Sequence, residues 1–177
     1  GVKTGKVPLA IIPSDFNNDD NLDVAITLTF DKMEIFLGLG NGTFKKGETY
    51  LTGSRSFSGV TGDFNNDGNS DIALAASSSV SSSIRLYDGN GDGTFNKPRQ
   101  IAQNLVPLTL IKMDMNNNGL QDLVFASGQG DNVYMLPSRG DGAFKKEIAF
   151  SGGGGPIALT AGHFNHDNLA DVAVANS

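Results

Sequence analysis

The chain has 177 residues and a formal net charge of −6, and 38% of its residues are hydrophobic. That length and apolar content suffice for a packed core, whereas the acidic balance and the lack of a basic run argue against nucleic acid or an anionic membrane as partner. There is no cysteine, so disulfide bonds cannot hold the fold together. No apolar run approaches the length of a membrane span. Because the chain begins at Gly1 without methionine, we expect a processed protein or a piece of a longer one.

The first part of the chain is predicted to hold four short strands. An apolar run at 7–12 enters a polar segment, and further strands are predicted at 23–30, 32–38 and about 45–51. Turn residues separate these runs, and the Asn-Gly pair at 41–42 is a strong signal for a tight turn. The polar segment reads Asp-Phe-Asn-Asn-Asp-Asp-Asn-Leu-Asp, with oxygen-bearing side chains at its positions 1, 3, 5 and 9.

The same plan recurs along the chain. The predicted units are about 7–52, 57–103, 106–151 and 156–177, and their polar segments are 15–23, 63–71, 114–122 and 163–171. The segments begin 48, 51 and 49 residues apart, and a period near fifty residues indicates a repeat architecture. The fourth unit stops just past its second predicted strand.

The repeat predicts an all-β fold with almost no helix, because no segment has sustained helical spacing of apolar residues. Four short antiparallel strands per repeat are typical of a β-propeller blade. We therefore predict a single repeat domain over 1–177, a β-propeller of four-stranded antiparallel blades with about 3.5 blades. The serine-rich stretch 77–83 is predicted to be a flexible connection. One apolar residue of each polar segment is expected to wedge between neighbouring blades, namely Phe16, Phe64, Met115 and Phe164.

The polar segments favour binding of a hard cation. Alternating oxygens in one tight loop can converge on Ca²⁺, and positions 1, 5 and 9 hold ten of the 19 acidic residues. Three carboxylates in nine residues repel one another unless a cation neutralises them. The alternative, that these are Asn/Asp turns without an ion, stays open. At the sixth position, where the bend needs a positive φ, Gly68 and Gly119 suit the geometry, and Asp20 and Asn168 are short polar residues that tolerate it.

Together with the Gly-x-Gly-[Thr/Ala]-Phe turns that end at Phe44, Phe95 and Phe144, the four segments resemble the FG-GAP repeats of integrin α chains and the related bacterial VCBS repeats. The resemblance covers nearly the whole chain. It implies a β-propeller whose calcium loops join the first two strands of each blade, in mostly extracellular proteins engaged in adhesion or ligand recognition. It also implies that the position-7 backbone carbonyl joins the ligand side chains.

Carried over by position, the resemblance implies three calcium sites and a weaker fourth. The implied ligands are Asp15, Asn17, Asp19, Asn21 and Asp23; Asp63, Asn65, Asp67, Asn69 and Asp71; Asp114, Asn116, Asn118, Leu120 and Asp122; and Asn165, Asp167, Leu169 and Asp171. In the fourth segment His163 replaces the first Asp, and imidazole is a poor ligand for a hard cation. By ligand charge the first two sites should bind best and the fourth should be weakest or empty.

Other interpretations of single motifs are weaker. An EF-hand or dockerin loop would lead into a helix, whereas strand residues follow here. His163 and His166 alone make a poor zinc site. Arg139-Gly140-Asp141 spells the tripeptide that integrins recognise, but its Gly-Asp is part of the repeated turn.

The predicted function is a calcium-binding propeller segment that acts as an extracellular adhesion or ligand-binding scaffold. We expect no enzyme, because there is no cysteine and both histidines lie in one loop. The expected partner is a protein or glycan, with no nucleic acid and no membrane insertion, and either the remainder of a longer chain or a second copy would close the propeller. The alternatives are a carbohydrate-binding lectin, although there is no Trp and only Tyr50, Tyr87 and Tyr134, and a non-catalytic module of a polysaccharide-degrading enzyme.

Overall fold

The structure is a computed structural model that describes residues 3–4, 6–78 and 82–177, and these residues contain fourteen strands and no helix. The first sheet holds β1 (Pro8–Ser14), β2 (Asp23–Leu28), β3 (Lys32–Gly38) and β4 (Phe44–Leu51); the second β5 (Arg55–Gly62), β6 (Asp71–Ser77), β7 (Ser82–Tyr87) and β8 (Arg99–Ile101); the third β9 (Pro107–Met113), β10 (Asp122–Ser127), β11 (Asn132–Leu136) and β12 (Ile148–Ser151); the fourth β13 (Pro156–Gly162) and β14 (Asp171–Asn176).

Each sheet is an antiparallel meander in which sequential strands are neighbours, and we call the four sheets blades 1 to 4. The polar segments, called loops 1 to 4, join the first two strands of each blade. In loop 1, for example, Ser14 pairs with Asp23 to close the hairpin. The predicted all-β propeller fold is confirmed, and the described residues contain no helix that could cross a membrane.

The prediction of a flexible connection over 77–83 is wrong at its two ends. β6 extends to Ser77 and β7 begins at Ser82, and these two serines pair with each other across the strands. Hydrogen bonding to the neighbouring strand outweighs the low strand propensity of serine there. Residues 79–81 lie outside the described part of the chain.

The core lies in layers between blades, as expected of a repeat protein. One layer packs Ile72 and Leu74 of blade 2 against Ala25 and Ile35 of blade 1. Successive side chains of a strand point to opposite faces, so the other face of the same strand packs on blade 3. That second layer contains Ala73 and Ala75 of blade 2 with Leu123, Phe125 and Leu136 of blade 3.

Blade contacts follow a size rule that is visible in the second strands. The first and third residues after the last loop position are large and face the preceding blade, as Ile72 and Leu74 do. In blade 2 the second and fourth are small and face the following blade, as Ala73 and Ala75 do, whereas the second residue of blade 3 is Val124. Large side chains on one blade thus meet small ones on its neighbour, which permits close approach. A side-chain Cβ at Gly59 would lie 2.5 Å from Ile12 Cδ1 and 2.6 Å from Leu74 Cδ2, so an added methyl group would force these two side chains to move.

Blade 4 packs on blade 3 through the same strand positions, although here large side chains meet large ones. Val172 and Val174 of β14, with Leu159 of β13, contact the cluster of Val124, Val133 and Met135. Its other face carries Ala173 and Ala175, which are exposed. The fourth blade therefore has one covered face and one open face.

Candidate functional site

The first position of loops 1 to 3 anchors the backbone of the loop. The Asp15 carboxylate accepts the amide N–H of Asp19 at 3.3 Å and of Asp20 at 2.8 Å. The equivalent bonds run to Asp63 from Asp67 and Gly68, and to Asp114 from Asn118 and Gly119. Each carboxylate therefore points into its own loop.

Positions 3 and 5 also turn their oxygens inward. In loop 1 the Asn17 side-chain oxygen accepts the Asp19 amide at 3.2 Å, and Asp19 Oδ1 accepts the Asn21 amide at 2.9 Å. Asn17 Nδ2 donates to Asp19 Oδ2 at 2.9 Å. Loop 2 repeats all three bonds with Asn65, Asp67 and Asn69. The structure thus gathers the side-chain oxygens of positions 1, 3 and 5 on the inner side of one turn.

The ninth position has a structural role that the sequence analysis missed. Asp71 is fully buried, and its two carboxylate oxygens accept the amide N–H of Phe64 at 2.9 Å and of Gly89 at 2.8 Å. Asp23 makes the same bonds to Phe16 and Gly38, and Asp122 to Met115 and Ser138. Each residue therefore ties the loop to the turn after the third strand. The available signal was an Asp directly before an apolar strand, a place where the carboxylate must be buried.

None of these buried carboxylates forms an ion pair, although the Lys145 charge acts on Asp122. Burial raises the pKa of Asp71 to about 6, although the Gly89 and Phe64 amides oppose this shift. Burial also raises the pKa of Asp23 and of Asp122. The ion pairs found within the described ranges join Lys46 to Glu34, Arg99 to Asp88 and Arg139 to Asp141, and none of them involves a loop carboxylate. The loops therefore carry uncompensated negative charge.

The donor set of loops 1 and 2 fits a hard cation. In the part of the chain that is described, no three Asp, Glu or His side chains meet as a preformed metal centre. The loop oxygens are instead occupied by amide hydrogens from the same loop. A carboxylate oxygen has more than one acceptor direction, and carboxylate, amide and backbone carbonyl oxygens are the ligands that Ca²⁺ prefers. In loops 1 and 2 the predicted side chains at positions 1, 3 and 5 thus line one turn, with oxygen chemistry suited to calcium.

Loop 3 is arranged differently at position 3. Asn118 stands where loops 1 and 2 have a carboxylate, and Asn116 Nδ2 donates instead to Asp122 Oδ2 at 2.8 Å. The Asp114 carboxylate keeps its bonds to the loop backbone. Loop 3 therefore has the same backbone shape with one negative charge fewer.

Loop 4 departs furthest from the pattern. The His163 ring lies with Nδ1 2.7 Å from the Leu169 carbonyl oxygen, and because a carbonyl only accepts, Nδ1 donates. The carbonyl predicted as the position-7 ligand is thereby engaged by a histidine. Phe164 is 57% exposed, so the expectation that it wedges between blades is wrong. Among the described residues no strand beyond β14 packs on that face.

Loop positions 4 and 6 have left-handed backbone conformations. Asp20 and Asn168 have φ of 65° and 62°, as expected for the bend at position 6. Position 4 also has positive φ, which the sequence analysis did not foresee: 58° at Asn18 and Asn66, 55° at Asn117 and 64° at His166. Asparagine is tolerant of this region.

Adjacent blades meet through these loops. The Phe16 and Phe64 side chains are buried between blades, as predicted. Phe16 packs edge-on against Phe95 of blade 2 with ring centroids 5.3 Å apart. The Gly93 amide of the same turn donates to the Phe16 carbonyl at 2.8 Å. A loop of one blade thus inserts against the Gly-x-Gly turn of the next.

Comparisons with known proteins agree with this architecture. The profile of the FG-GAP-like repeat family matches residues 15–74, 63–109 and 114–174. The chain belongs to the FG-GAP-like repeat family. No curated protein matches it.

Solved structures add evidence on the fold. One similar structure is described as BBS1N in complex with ARL6DN, soaked with mercury, with a TM-score of 0.65 at 14% identity over 98% of this chain and 48% of that chain. A lead-soaked structure of the same complex has a TM-score of 0.67 at 15% identity, over 98% of this chain and 51% of that one. This FG-GAP-like chain therefore spans about half the length of those chains, and the likeness supports the propeller fold alone.

Proposed function

We propose that the chain is a calcium-stabilised β-propeller segment that acts outside the cell as a binding scaffold for a protein partner. The observation that carries the proposal is the arrangement of loops 1 and 2. Each gathers carboxylate and amide oxygens inside one turn next to a fully buried aspartate that has no cationic partner. A divalent cation would neutralise this charge without adding a side chain.

In this proposal each ion cross-links the first two strands of a blade. Asp15, Asn17, Asp19 and Asp23 would hold it in loop 1 with the Asn21 carbonyl, and the equivalent residues of loops 2 and 3 would do the same. Loop 3 would bind more weakly, because Asn118 is uncharged. Loop 4 would bind weakest, because the His163 ring engages the Leu169 carbonyl.

The scaffold role is proposed from the fold, from the burial of the tyrosines and from the position of the histidines. In the similar structures BBS1N is in complex with a second protein, ARL6DN, which supports a protein as the kind of partner. A glycan is less favoured, because Tyr87 is fully buried and Tyr50 and Tyr134 pack on other rings. We propose no catalytic role, because both histidines lie in loop 4 and the ring of His163 is engaged there.

In this proposal the loops have the affinity of calcium sites in extracellular modules, a Kd of roughly 10⁻⁴ to 10⁻³ M. Sites of that affinity would fill only where calcium is near millimolar, as it is outside the cell. A Kd of about 10⁻⁷ M or tighter, measured by isothermal titration calorimetry, would remove this support.

Urea unfolding with calcium and with a chelator tests the proposal. With a Kd near 0.1 mM and calcium near 1 mM, each site adds about 1.4 kcal/mol to the free energy of unfolding, or about 4 kcal/mol for three sites. Circular dichroism should therefore show a higher urea midpoint in calcium. Equal midpoints in the two buffers would refute calcium stabilisation.

Matched variants locate the effect. Asp63→Asn removes the position-1 charge of loop 2 and should lower the calcium-dependent gain by about one site, about 1.4 kcal/mol. Glu48→Gln removes one negative charge from the exposed strand β4, outside the loops, and should leave the gain unchanged. If both variants change it equally, net charge rather than loop geometry governs the response.

A further inference from the structure

Three Asn-Gly pairs occur in the sequence, at 41–42, 90–91 and 118–119. Asparagine is a thermolabile residue, and it is most exposed to attack before glycine, whose amide nitrogen is not shielded by a side chain. The first two pairs lie in the turns after the third strand of blades 1 and 2, and the third pair lies in loop 3. The rate of attack depends on the groups that the fold places beside the nitrogen and beside the amide oxygen.

In loop 3 the fold supplies both of these groups. The Gly119 amide N–H donates to Asp114 Oδ2 at 2.7 Å, so a carboxylate lies where a general base would take the proton of the attacking nitrogen. The Leu120 amide N–H donates to Asn118 Oδ1 at 2.9 Å, at the oxygen on which negative charge would develop. Within the described ranges nothing accepts a hydrogen bond from Asn118 Nδ2, the nitrogen that would leave.

The other two pairs lack one or both groups. Asn41 Oδ1 accepts the Thr43 amide at 3.0 Å and the Thr43 hydroxyl at 2.6 Å, but no carboxylate of the described residues accepts the Gly42 amide. Asn90 instead donates through Nδ2 to Thr94 Oγ1 at 2.9 Å. The three pairs therefore form a graded series, in which Asn41 matches the loop 3 pair except for the carboxylate.

Loop 3 is also open to water at this point. Asn118 and Gly119 are both exposed. A Cβ placed on Gly119 would have no heavy atom within 4 Å. Water can therefore reach both the side-chain amide and the backbone next to it.

Loop 2 shows what an aspartate at position 5 does in this setting. The two loops have the same residue types at positions 1, 3 and 9, and glycine follows position 5 in both. Asp67 Oδ1 accepts the Asn69 amide at 2.8 Å, as Asn118 Oδ1 accepts the Leu120 amide at 2.9 Å. An aspartate therefore fits this position without a change of the backbone.

The amide at position 5 also accounts for the different arrangement of loop 3. In loop 2 Asn65 Nδ2 donates to Asp67 Oδ2, an acceptor that Asn118 lacks because its second terminal atom is an NH₂ donor. Asn116 Nδ2 turns instead to Asp122 Oδ2. A carboxylate at position 118 would restore the acceptor and release Asp122 from this bond.

We propose that Asn118 deamidates spontaneously in the folded chain, and that the aspartate it forms gives loop 3 the side-chain ligands of loop 2. The first part concerns the chemistry of the loop alone and goes beyond the proposed function. The second part rests on the proposed function, because it concerns calcium. Loop 3 thus begins with one negative charge fewer than loop 2 and gains that charge with time.

The reaction balances with water as its co-reactant. The Gly119 nitrogen attacks Cγ of Asn118 and loses its proton to Asp114, while charge develops on Oδ1. The Cγ–Nδ2 bond breaks, Nδ2 takes up a proton and leaves as ammonia, and a cyclic imide remains. Water then adds to Cγ and breaks the bond from Cγ to the Gly119 nitrogen, which regains a proton. One water is consumed, one ammonia is released, and nothing is oxidised or reduced.

The folded hairpin favours aspartate over the alternative product. Water that opens the imide at the main-chain carbonyl gives isoaspartate, which adds a methylene group to the loop backbone. Loop 3 is closed by strand pairing between Met113 and Asp122, and a longer backbone would disturb this pairing. Opening at Cγ leaves the backbone as it was.

Ageing of the folded chain in a buffer with chelator tests the first part, because calcium is then absent. Peptide mass spectrometry at intervals measures the mass gained at each pair when an amide becomes a carboxylate. Position 118 should react at least about 10-fold faster than position 41, a smaller factor than the roughly 100-fold or more of a well-aligned general base. Position 90 should be slowest. A rate at position 118 that does not exceed the rate at position 41 would overturn the proposal.

Two variants and an unfolded sample show whether the loop is responsible. Asp114→Asn removes the base and should reduce the rate at position 118 to that at position 41. The matched change Asp63→Asn in loop 2 should leave the rate at position 118 unchanged, and circular dichroism confirms that both variants are folded. In urea the three pairs of the wild-type chain should react at similar rates. A preference for position 118 that persists in urea or in Asp114→Asn would overturn the role of the loop.

The identity of the product and its calcium affinity test the second part. The aged peptide should co-elute with the peptide of the variant Asn118→Asp, and co-elution with a synthetic isoaspartyl peptide alone would overturn this part. Calorimetry uses chains that also carry Asp15→Asn and Asp63→Asn, so that loop 3 dominates. Aged chains and Asn118→Asp chains should then bind calcium about 10-fold more tightly than fresh chains, because the ligands gain one charge.

An equal Kd in fresh, aged and Asn118→Asp chains would overturn the second part and leave the proposed function intact. If calcium binds none of them and does not raise the urea midpoint of the wild type, the second part fails together with the proposed function. The deamidation rates in chelator decide the first part in either case.

Discussion

Loops 2 and 4 have the same local design and different surroundings. In both, the position-3 amide donates to the position-5 carboxylate, at 2.9 Å from Asn65 to Asp67 and 3.0 Å from Asn165 to Asp167. In both, that carboxylate accepts the position-7 amide at 2.8 Å. The nine residues alone therefore set the shape of the hairpin, whether or not another blade covers it.

The neighbouring strands and blades bury the loop phenylalanine and give the ninth-position aspartate a second hydrogen-bond donor. Phe64 is 1% exposed between blades 2 and 3, and Phe164 is 57% exposed at the end. Asp71 is fully buried and holds both Phe64 and Gly89. Asp171 is partly buried and accepts the Phe164 amide at 2.7 Å, but blade 4 of this chain has no turn after a third strand to hold. The nine loop residues determine the shape of the loop, whereas its stability depends on the surrounding strands.

Replacing the ninth aspartate should expose this difference most strongly. Asp71→Ala leaves two buried N–H groups without acceptors, at about 1 to 3 kcal/mol each, so we expect a loss of about 2 to 6 kcal/mol in the free energy of unfolding. Asp171→Ala should cost about 1 kcal/mol, because the freed amide reaches water. Urea unfolding followed by circular dichroism measures both losses.

The Asp71→Asn variant is the control for acceptor loss. It keeps one side-chain oxygen and should lie between wild type and Asp71→Ala. Losses of similar size in Asp71→Ala and Asp171→Ala would show that the bond to Gly89 adds nothing.

The loop phenylalanines should show the next largest difference. Phe64→Ala opens a cavity beside Phe144 and should cost about 3 kcal/mol. Phe164→Ala should change the free energy of unfolding by less than about 0.5 kcal/mol, as expected of an exposed site. Urea unfolding measures both losses. A large loss in Phe164→Ala would mean that its ring is buried in solution.

Much of this fold could be predicted because the signal is repeated. Four polar segments at a period near fifty residues fix the blade plan, and the alternation after Asp23, Asp71 and Asp122 fixes which residues face each neighbour. The connection predicted over the serine stretch is longer than the one in the structure. Ser77 and Ser82 have low strand propensity, and their pairing depends on the adjacent strands. Propensity is overridden there by tertiary context.

Two features of the loops could not be predicted from one repeat at a time. The bond from Gly89 to Asp71 joins residues 18 positions apart, and nothing in the loop sequence specifies its partner. The exposure of Phe164 depends on whether a further blade covers blade 4, although its local sequence matches that of Phe64. The sequence pattern gives the side chains of a site, and the assembled blades decide which are buried.

The smallest expected effect concerns position 1, the one predicted side-chain ligand position at which loop 4 differs from loop 2. His163→Asp restores the position-1 carboxylate, which can accept the amides of Asp167 and Asn168 as Asp63 accepts those of Asp67 and Gly68. It also frees the Leu169 carbonyl from the ring. Isothermal titration calorimetry should then show one more calcium per chain, and calcium at ten times Kd should add about 1.4 kcal/mol to the free energy of unfolding.

His163→Asn separates the two consequences of that change. It frees the same carbonyl and supplies an amide oxygen without a charge, so calcium should bind more weakly than in His163→Asp. If His163→Asp leaves the stoichiometry unchanged, burial by a following blade, rather than the missing carboxylate, is what loop 4 lacks. An equal gain in both variants would instead show that a negative charge at position 1 is not needed, because both changes free the Leu169 carbonyl and both supply a side-chain oxygen at that position.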